Sequence, residues 1–102
     1  MFDMKHIQKL PALGESAGEG TFEAFRAFDE RALADGAIPK KYKELMAVAV
    51  ALTTQCPYCI ELHKKAAVTA GATREELAEA TFVAAALRAG AAVTHGTHLI
   101  DG

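Results

Sequence analysis

The amino-acid sequence predicts an all-α fold, a small bundle of about five to six helices that forms one domain over residues 1–102. Three observations support this prediction. Apolar residues recur three or four positions apart in the long segments, which is the spacing that gives a helix one apolar face. Prolines and glycines divide the chain into pieces of helical length. Finally, no piece shows the alternation of apolar and polar residues that is typical of a strand.

The first half of the chain is expected to hold an N-terminal arm and two helices. Residues 1–20 are expected to form an arm or short helix and then a flexible segment, because Pro11 and the glycines that follow it interrupt a long helix. The next helix is predicted to begin at Thr21, a candidate N-cap. Pro39 then opens another helix that reaches about Thr53.

The second half is expected to hold two more helices. Pro57 starts the first of them, since proline is well tolerated at the first helical position, and this helix runs to about Ala70. A capping box at Thr73 begins a last helix through Ala89. Residues 82–92 of that helix are small and apolar on almost every side, which indicates that a second copy of the chain covers them.

The composition favours a homo-oligomer and argues against nucleic acid as a partner. Apolar residues make up 51% of the chain, but they are dominated by alanine and include no tryptophan. Small side chains bury little area, so a lone domain of this size is marginally stable. The 11 basic and 13 acidic residues are interspersed, and no basic face that could neutralise phosphates is visible.

The sequence predicts neither a targeting segment nor a membrane span. The N-terminal residues include Lys5, His6 and Lys9 rather than the continuous apolar run of a signal peptide. No stretch approaches the roughly 20 apolar residues that a spanning helix needs. We therefore expect a cytoplasmic protein, in which two cysteines are more often catalytic or metal-binding than a structural disulfide.

The residues that carry chemistry lie around the two cysteines. With Cys56 as the cap and Pro57 as the first helical residue, both sulfurs lie at the amino end of a helix. The unpaired N–H groups and the helix dipole favour negative charge there, so we expect the pKa of the Cys59 thiol to fall below about 8.5. His63 follows Cys59 by four residues on the same helix face, where its imidazole can accept the thiol proton.

Glu44 is expected to join this group through a reversal of the chain. In one straight helix, Glu44 would lie about 18 Å from Cys56. A turn near Gln55 would instead fold the helix that carries Glu44 back along the helix that carries His63. Glu44 could then accept a hydrogen bond from one ring nitrogen of His63, fix its tautomer and stabilise its cationic form.

Five of these positions resemble a known motif. Glu44, eleven intervening residues and the pattern Cys56-x-Tyr58-Cys59-x-x-x-His63 resemble the signature of the alkylhydroperoxidase D (AhpD) family, within the carboxymuconolactone decarboxylase superfamily. The order of the helices also fits, so the resemblance covers nearly the whole chain. It implies an all-α fold that assembles as trimers or hexamers.

The resemblance also implies a thiol-dependent peroxidase or disulfide oxidoreductase with an antioxidant role. By similarity, Cys59 would attack a small hydroperoxide and become a sulfenic acid, Cys56 would resolve it to a disulfide, and Glu44 and His63 would relay protons. A dithiol would then reduce the disulfide, and the family suggests a lipoyl-bearing protein as that reductant. No cofactor and no metal are implied. Tyr58 is expected either to pack in the core or to line the substrate pocket.

Two other functions remain open at this point. One is a lactone decarboxylase like the superfamily's other named members, which work without the cysteine pair. The other is a zinc-binding or redox-sensing module in which the glutamate, the two cysteines and the histidine of the motif supply the ligands. His6, His95 and His98 have no partner visible in the sequence and are expected at the surface or in an interface.

Overall fold

The computed structural model describes residues 2–102 and confirms the all-α prediction. No strand is present in this part of the chain, and helices follow one another through short connections. The 3₁₀ helix Met4–Lys9 is followed by α1 (Leu10–Ser16), α2 (Thr21–Leu33), α3 (Lys40–Thr54), α4 (Pro57–Thr69), α5 (Arg74–His95) and the 3₁₀ helix Gly96–Leu99.

The core lies where α3 packs against both α4 and α5. Its buried apolar residues are small, and no large side chain of residues 2–102 is completely buried. Small residues let the three helices approach closely, but they remove little apolar area from water. The buried apolar residues are Val48, Ala51, Ala67, Ala72 and Ala84.

The chain reverses between α3 and α4, as the sequence predicts. Gln55 has a left-handed backbone with φ 57°, and it is the one non-glycine residue with positive φ in the described part of the chain. The N–H of Cys56 donates to the carbonyl of Ala51 at 3.1 Å, which closes the end of α3. Arg88 on α5 also donates a hydrogen bond to the carbonyl of Thr53. The turn that positions the cysteines is therefore held by backbone and side-chain contacts.

The predicted capping box of the last helix is present. The side chain of Glu76 accepts from the N–H of Thr73 at 2.9 Å, and the hydroxyl of Thr73 accepts from the N–H of Glu76 at 3.1 Å. The helix ends at His95 and not at Ala89, because no residue after Ala89 stops a helix before Gly96. Gly90 is tolerated inside it at a modest cost in helix propensity.

The N-terminal prediction was partly wrong. Pro11 does not break a helix; it lies in the first turn of α1, where its missing N–H would have no helical partner in any case. Thr21 is the first residue of α2, and the cap position belongs to Gly20 in a left-handed conformation. A Cβ on Gly14 would lie 2.7 Å from the Phe22 side chain, so α1 and α2 pack closely at this glycine.

The exposed surface is too large for a compact protein of 10.8 kDa. The chain exposes 7892 Å², against about 5,500 Å² expected for its mass. Its radius of gyration is 17.1 Å, against about 13 Å for a compact domain of this length. Large apolar side chains contribute to the excess, since Phe28 is 70% and Phe82 is 74% exposed. The excess of roughly 2,400 Å² is comparable to the area that obligate oligomers bury.

One helical segment has the length and composition of a membrane span. Arg74–Leu99 is 26 residues long, and its most apolar window has a mean hydropathy of 1.3 and is 6% buried. No such segment was predicted from the sequence. Its apolar character comes largely from alanine and valine, and an exposed face of this kind is also what a contact between subunits would cover.

Candidate functional site

The hairpin of α3 and α4 brings Glu44 and His63 into contact. Nδ1 of His63 lies 2.6 Å from Oε1 of Glu44, which is a short, charge-assisted hydrogen bond. Glu44 is 2% exposed and is the one buried charged residue in the described chain. A carboxylate accepts and does not donate, so Nδ1 donates, and in the neutral imidazole this tautomer leaves a lone pair on Nε2. The contact predicted from the reversal near Gln55 is therefore present.

Lys40 is a third member of this group that the sequence analysis missed. Its Nζ lies 3.1 Å from Oε2 of Glu44 and 3.4 Å from the carbonyl oxygen of Leu33. Both carboxylate oxygens of Glu44 thus have a partner, as a buried charge requires. The spacing of four residues between Lys40 and Glu44 on one helix was the signal in the sequence.

The free ring nitrogen of His63 faces solvent. Within residues 2–102, Nε2 has no hydrogen bond to protein, and no buried polar side-chain atom there lacks a partner. His63 borders a cleft of about 550 Å³ between α2, the start of α3 and α4. The imidazole can therefore exchange protons with water or with a small molecule in the cleft. The cleft is lined by Asp29, Glu30, Leu33, Ala34, Asp35, Lys40, Glu44, Leu62, His63 and Ala66.

The two cysteines are free thiols in contact at the start of α4. Their sulfurs are 2.9 Å apart, and the N–H of Cys59 donates to the sulfur of Cys56 at 3.3 Å. Cys56 is the N-cap of α4 and Pro57 is its first residue, as predicted. This position exposes the Cys56 sulfur to the unpaired N–H groups at the helix start.

The charge of the ionised pair rests on Cys56. A hydrogen bond from the Cys59 thiol, followed by the backbone N–H of Cys59, lowers the pKa of Cys56 from its ordinary value. The same thiol contact, together with burial and the charge of Cys56, raises the pKa of Cys59 to about 11. The expectation of a lowered pKa at Cys59 was therefore wrong, because its contact with the Cys56 sulfur and its burial both favour the neutral thiol.

This difference predicts the order of alkylation. At pH 7, iodoacetamide should modify Cys56 before Cys59, because only the thiolate reacts and the first thiolate forms on Cys56. Peptide mass spectrometry after a brief exposure to the reagent measures the two sites separately. In Cys56→Ser, Cys59 should react at lower pH than in the wild type, since the neighbouring thiolate is gone. Faster modification of Cys59 in the wild type would contradict this assignment.

Tyr58 lies outside the cleft that His63 borders. Its ring packs edge-on against Phe2 with centroids 4.8 Å apart. Together with His6, Ile7 and Leu10 it lines a separate apolar pocket of about 310 Å³. Tyr58 thus anchors the N-terminal segment beside the cysteines, and its part in substrate binding stays a prediction.

The described residues give no support to the alternative of a metal centre, either at the remaining histidines or at the proposed zinc ligands. The rings of His95 and His98 lie 5.7 Å apart at the end of the last helix. Between Phe2 and Gly102, no group of three or more His, Cys, Asp or Glu side chains is arranged to hold a metal ion. Glu44, one of the four proposed zinc ligands, has both oxygens engaged by Lys40 and His63.

Comparison with known proteins identifies the family. The family model described as "Carboxymuconolactone decarboxylase family" matches residues 19–101. This chain belongs to the carboxymuconolactone decarboxylase family. The family includes AhpD-like proteins, so the resemblance noted in the sequence is confirmed. The match begins just before α2 and includes the reversal and the cysteine pair.

Relatives and solved structures agree with membership of the carboxymuconolactone decarboxylase family. "Uncharacterized protein 4 in cox locus" of Paracoccus denitrificans is 50% identical over 97 residues, covering 93% of this chain and 87% of that protein. An uncharacterized protein of Cupriavidus necator is 39% identical over 72 residues, covering 71% of this chain and 63% of that protein.

Two crystal structures share the fold. A protein of Methanobacterium thermoautotrophicum matches with a TM-score of 0.76 and 34% identity, covering 90% of this chain and 98% of that one. A carboxymuconolactone decarboxylase family protein of Legionella pneumophila, in its apo form, matches with a TM-score of 0.73 and 37% identity, covering 82% of this chain and 75% of that one.

Proposed function

We propose that this chain is a thiol-dependent peroxidase that reduces small hydroperoxides through Cys56 and Cys59, with His63 and Glu44 as the proton relay. One observation carries the proposal: a contacting, ionisable thiol pair begins the helix whose next turn holds a histidine oriented by a buried carboxylate. Membership of a family that includes AhpD-like proteins supports it. An antioxidant role in the cytoplasm follows as part of the same proposal.

The proposed reaction starts from the cysteine pair in the form in which Cys56 is a thiolate and Cys59 is a thiol. The Cys56 thiolate lies 2.9 Å from the Cys59 sulfur and can accept its proton as Cys59 attacks the peroxide. The new S–O bond forms while the O–O bond breaks, and the departing alkoxide takes up the proton that the pair lost when it ionised, which leaves a sulfenic acid on Cys59 and an alcohol. Cys56 then gives up its proton to His63 and attacks the Cys59 sulfur, and the departing hydroxyl group takes that proton from His63 and leaves as water. Two thiols and one hydroperoxide thus give one disulfide, one alcohol and one water.

A dithiol completes the cycle by reducing the disulfide, and a lipoyl-bearing protein is the proposed donor. The attacking thiolate of the donor forms a mixed disulfide with one cysteine, and its second thiol releases the protein in the reduced form. No further reductant is needed, because the two electrons come from the two donor thiols.

The charge of the cleft argues against an anionic substrate. Four carboxylates line it, those of Asp29, Glu30, Asp35 and Glu44, with Lys40 as the one lysine or arginine beside them. A carboxymuconolactone carries carboxylates of its own and would meet like charges there. Decarboxylation of such a lactone that survives loss of both cysteines would nevertheless replace the peroxidase proposal.

We also propose that the working form is a homo-oligomer, a trimer or a hexamer. The exposed area and the radius of gyration exceed those of a compact chain of this size. An apolar groove of about 260 Å³ between α3 and α5 offers a surface for a second copy. Tyr42, Met46 and Val83, which line it, are 46%, 50% and 57% exposed.

A thiol count tests the peroxidase proposal directly. One equivalent of cumene hydroperoxide added to reduced protein should remove both thiols of each chain and release one equivalent of alcohol. Dihydrolipoamide should then restore both thiols, whereas a monothiol such as glutathione should restore them more slowly. Persistence of both thiols in the presence of peroxide would end the proposal.

A further inference from the structure

Lys40 occupies a position that the relay alone does not explain. Its ammonium bonds the buried carboxylate of Glu44 on the oxygen that His63 does not use. The carbonyl of Leu33, at the end of α2, accepts a second bond from the same ammonium. Lys40 is therefore held between two helices, although its side chain is 45% exposed.

The other charged groups around His63 are acidic. Asp29 and Glu30 face the cleft from α2, and Asp35 faces it from the connection between α2 and α3. On α3, the facing groups are Glu44 and Lys40. Each carboxylate stabilises a protonated imidazole, and Lys40 is the one lysine or arginine in the lining that opposes them.

The charge balance decides whether His63 can act as a base. Glu44 is almost completely buried, so its negative charge needs a compensating positive charge nearby. With Lys40 in place, the lysine supplies that charge and the imidazole can remain neutral. Without Lys40, the same carboxylate would hold a proton on His63, and a protonated histidine cannot accept another from a thiol.

We propose that Lys40 is a positioning residue that balances the buried carboxylate of Glu44, so that Glu44 orients His63 without holding a further proton on it. For turnover this inference rests on the proposed peroxidase function, but the protonation of His63 can be measured without any substrate. Lys40 acts on His63 through Glu44, whose carboxylate its ammonium bonds.

The test is an NMR titration of the imidazole of His63 in the full-length reduced protein. In Lys40→Met, which keeps most of the side-chain volume, the midpoint of His63 should move up by about one pH unit. Lys40→Arg should keep the wild-type midpoint, because it restores the charge. Lys43→Met is the matched control: Lys43 lies on the same helix and donates to the carbonyl of Ala34 at 2.7 Å, outside the Glu44 group.

The outcomes separate the inference from the function on which it rests. An unchanged midpoint in Lys40→Met, with circular dichroism showing an intact fold, would overturn the role of Lys40, as would an equal shift in Lys43→Met. If Lys40→Met does not fold, Lys40→Gln in the same titration decides the question. In an active enzyme, turnover by Lys40→Met should fall about threefold at pH 7 and recover about one pH unit higher. Absence of peroxidase activity in every variant would sink the proposed function, while the midpoint would still decide the role of Lys40.

Discussion

Replacement of Cys59 by serine should reduce hydroperoxide turnover to the background of the uncatalysed reaction. Serine cannot form the thiolate that attacks the O–O bond. The remaining Cys56 then has no second cysteine with which to form a disulfide. Turnover is measured as loss of cumene hydroperoxide with dihydrolipoamide as reductant. His63→Asn, which keeps a polar side chain but removes the base, should lower the rate by about 10²-fold to 10⁴-fold.

Cys56→Ser should block the second step, because no thiol remains to resolve the sulfenic acid. Cys59 can still react once, so a sulfenic acid should accumulate on Cys59 and be trapped by dimedone in amounts close to one per chain. Glu61→Gln, on the same helix but outside the described site, should turn over peroxide like the wild type. Full activity in Cys59→Ser would remove the basis of the mechanism. A sulfenic acid trapped on Cys56 in Cys59→Ser would reverse the roles of the two sulfurs.

Disruption of the groove between α3 and α5 should convert the protein from an oligomer into monomers. Met46→Glu and Val83→Glu place a charge on an apolar surface that a second copy would bury, and an unpaired buried charge costs several kcal/mol. Sedimentation or size-exclusion chromatography with light scattering measures the mass. We also expect a lower thermal midpoint for these variants, since the isolated chain has a core of small residues.

Ile100→Glu is the control for this experiment. Ile100 is 77% exposed but lies beyond the last helix, away from the groove. The control should keep the mass of the wild type. A wild-type protein that is monomeric at micromolar concentration, or groove variants that keep the mass of an oligomer, would contradict the proposed surface.

Much of the site could be predicted from sequence because its determinants are local. The N-cap position of Cys56, the proline after it and the spacing of Cys59 and His63 are all set within one helix. The contact between Glu44 and His63 needed only one added assumption, a reversal near Gln55. A short hairpin between two helices leaves few alternatives, so that assumption sufficed.

Other features depended on contacts that no local pattern encodes. The ionisation of the thiols follows from which sulfur receives the hydrogen bonds, and the helix-end argument assigned that effect to Cys59 when Cys56 occupies the cap. Lys40 was missed because a lysine four residues before a glutamate is common on exposed helices, and only burial of Glu44 makes the pair significant. Pro11 was interpreted as a breaker because its place in the first turn depends on where α1 begins.

Because the chain reverses at the left-handed residue Gln55, the number of residues between Glu44 and Cys56 determines which side of α4 faces Glu44. One residue inserted after Gln55 would remove no catalytic side chain. If that residue extended α4 at its start, however, the rest of α4 would be rotated by about 100° about its axis. His63 would then point away from Glu44 even though the composition of the site had not changed. The length of the connection between α3 and α4 is thus as necessary for the contact between Glu44 and His63 as the two residues themselves.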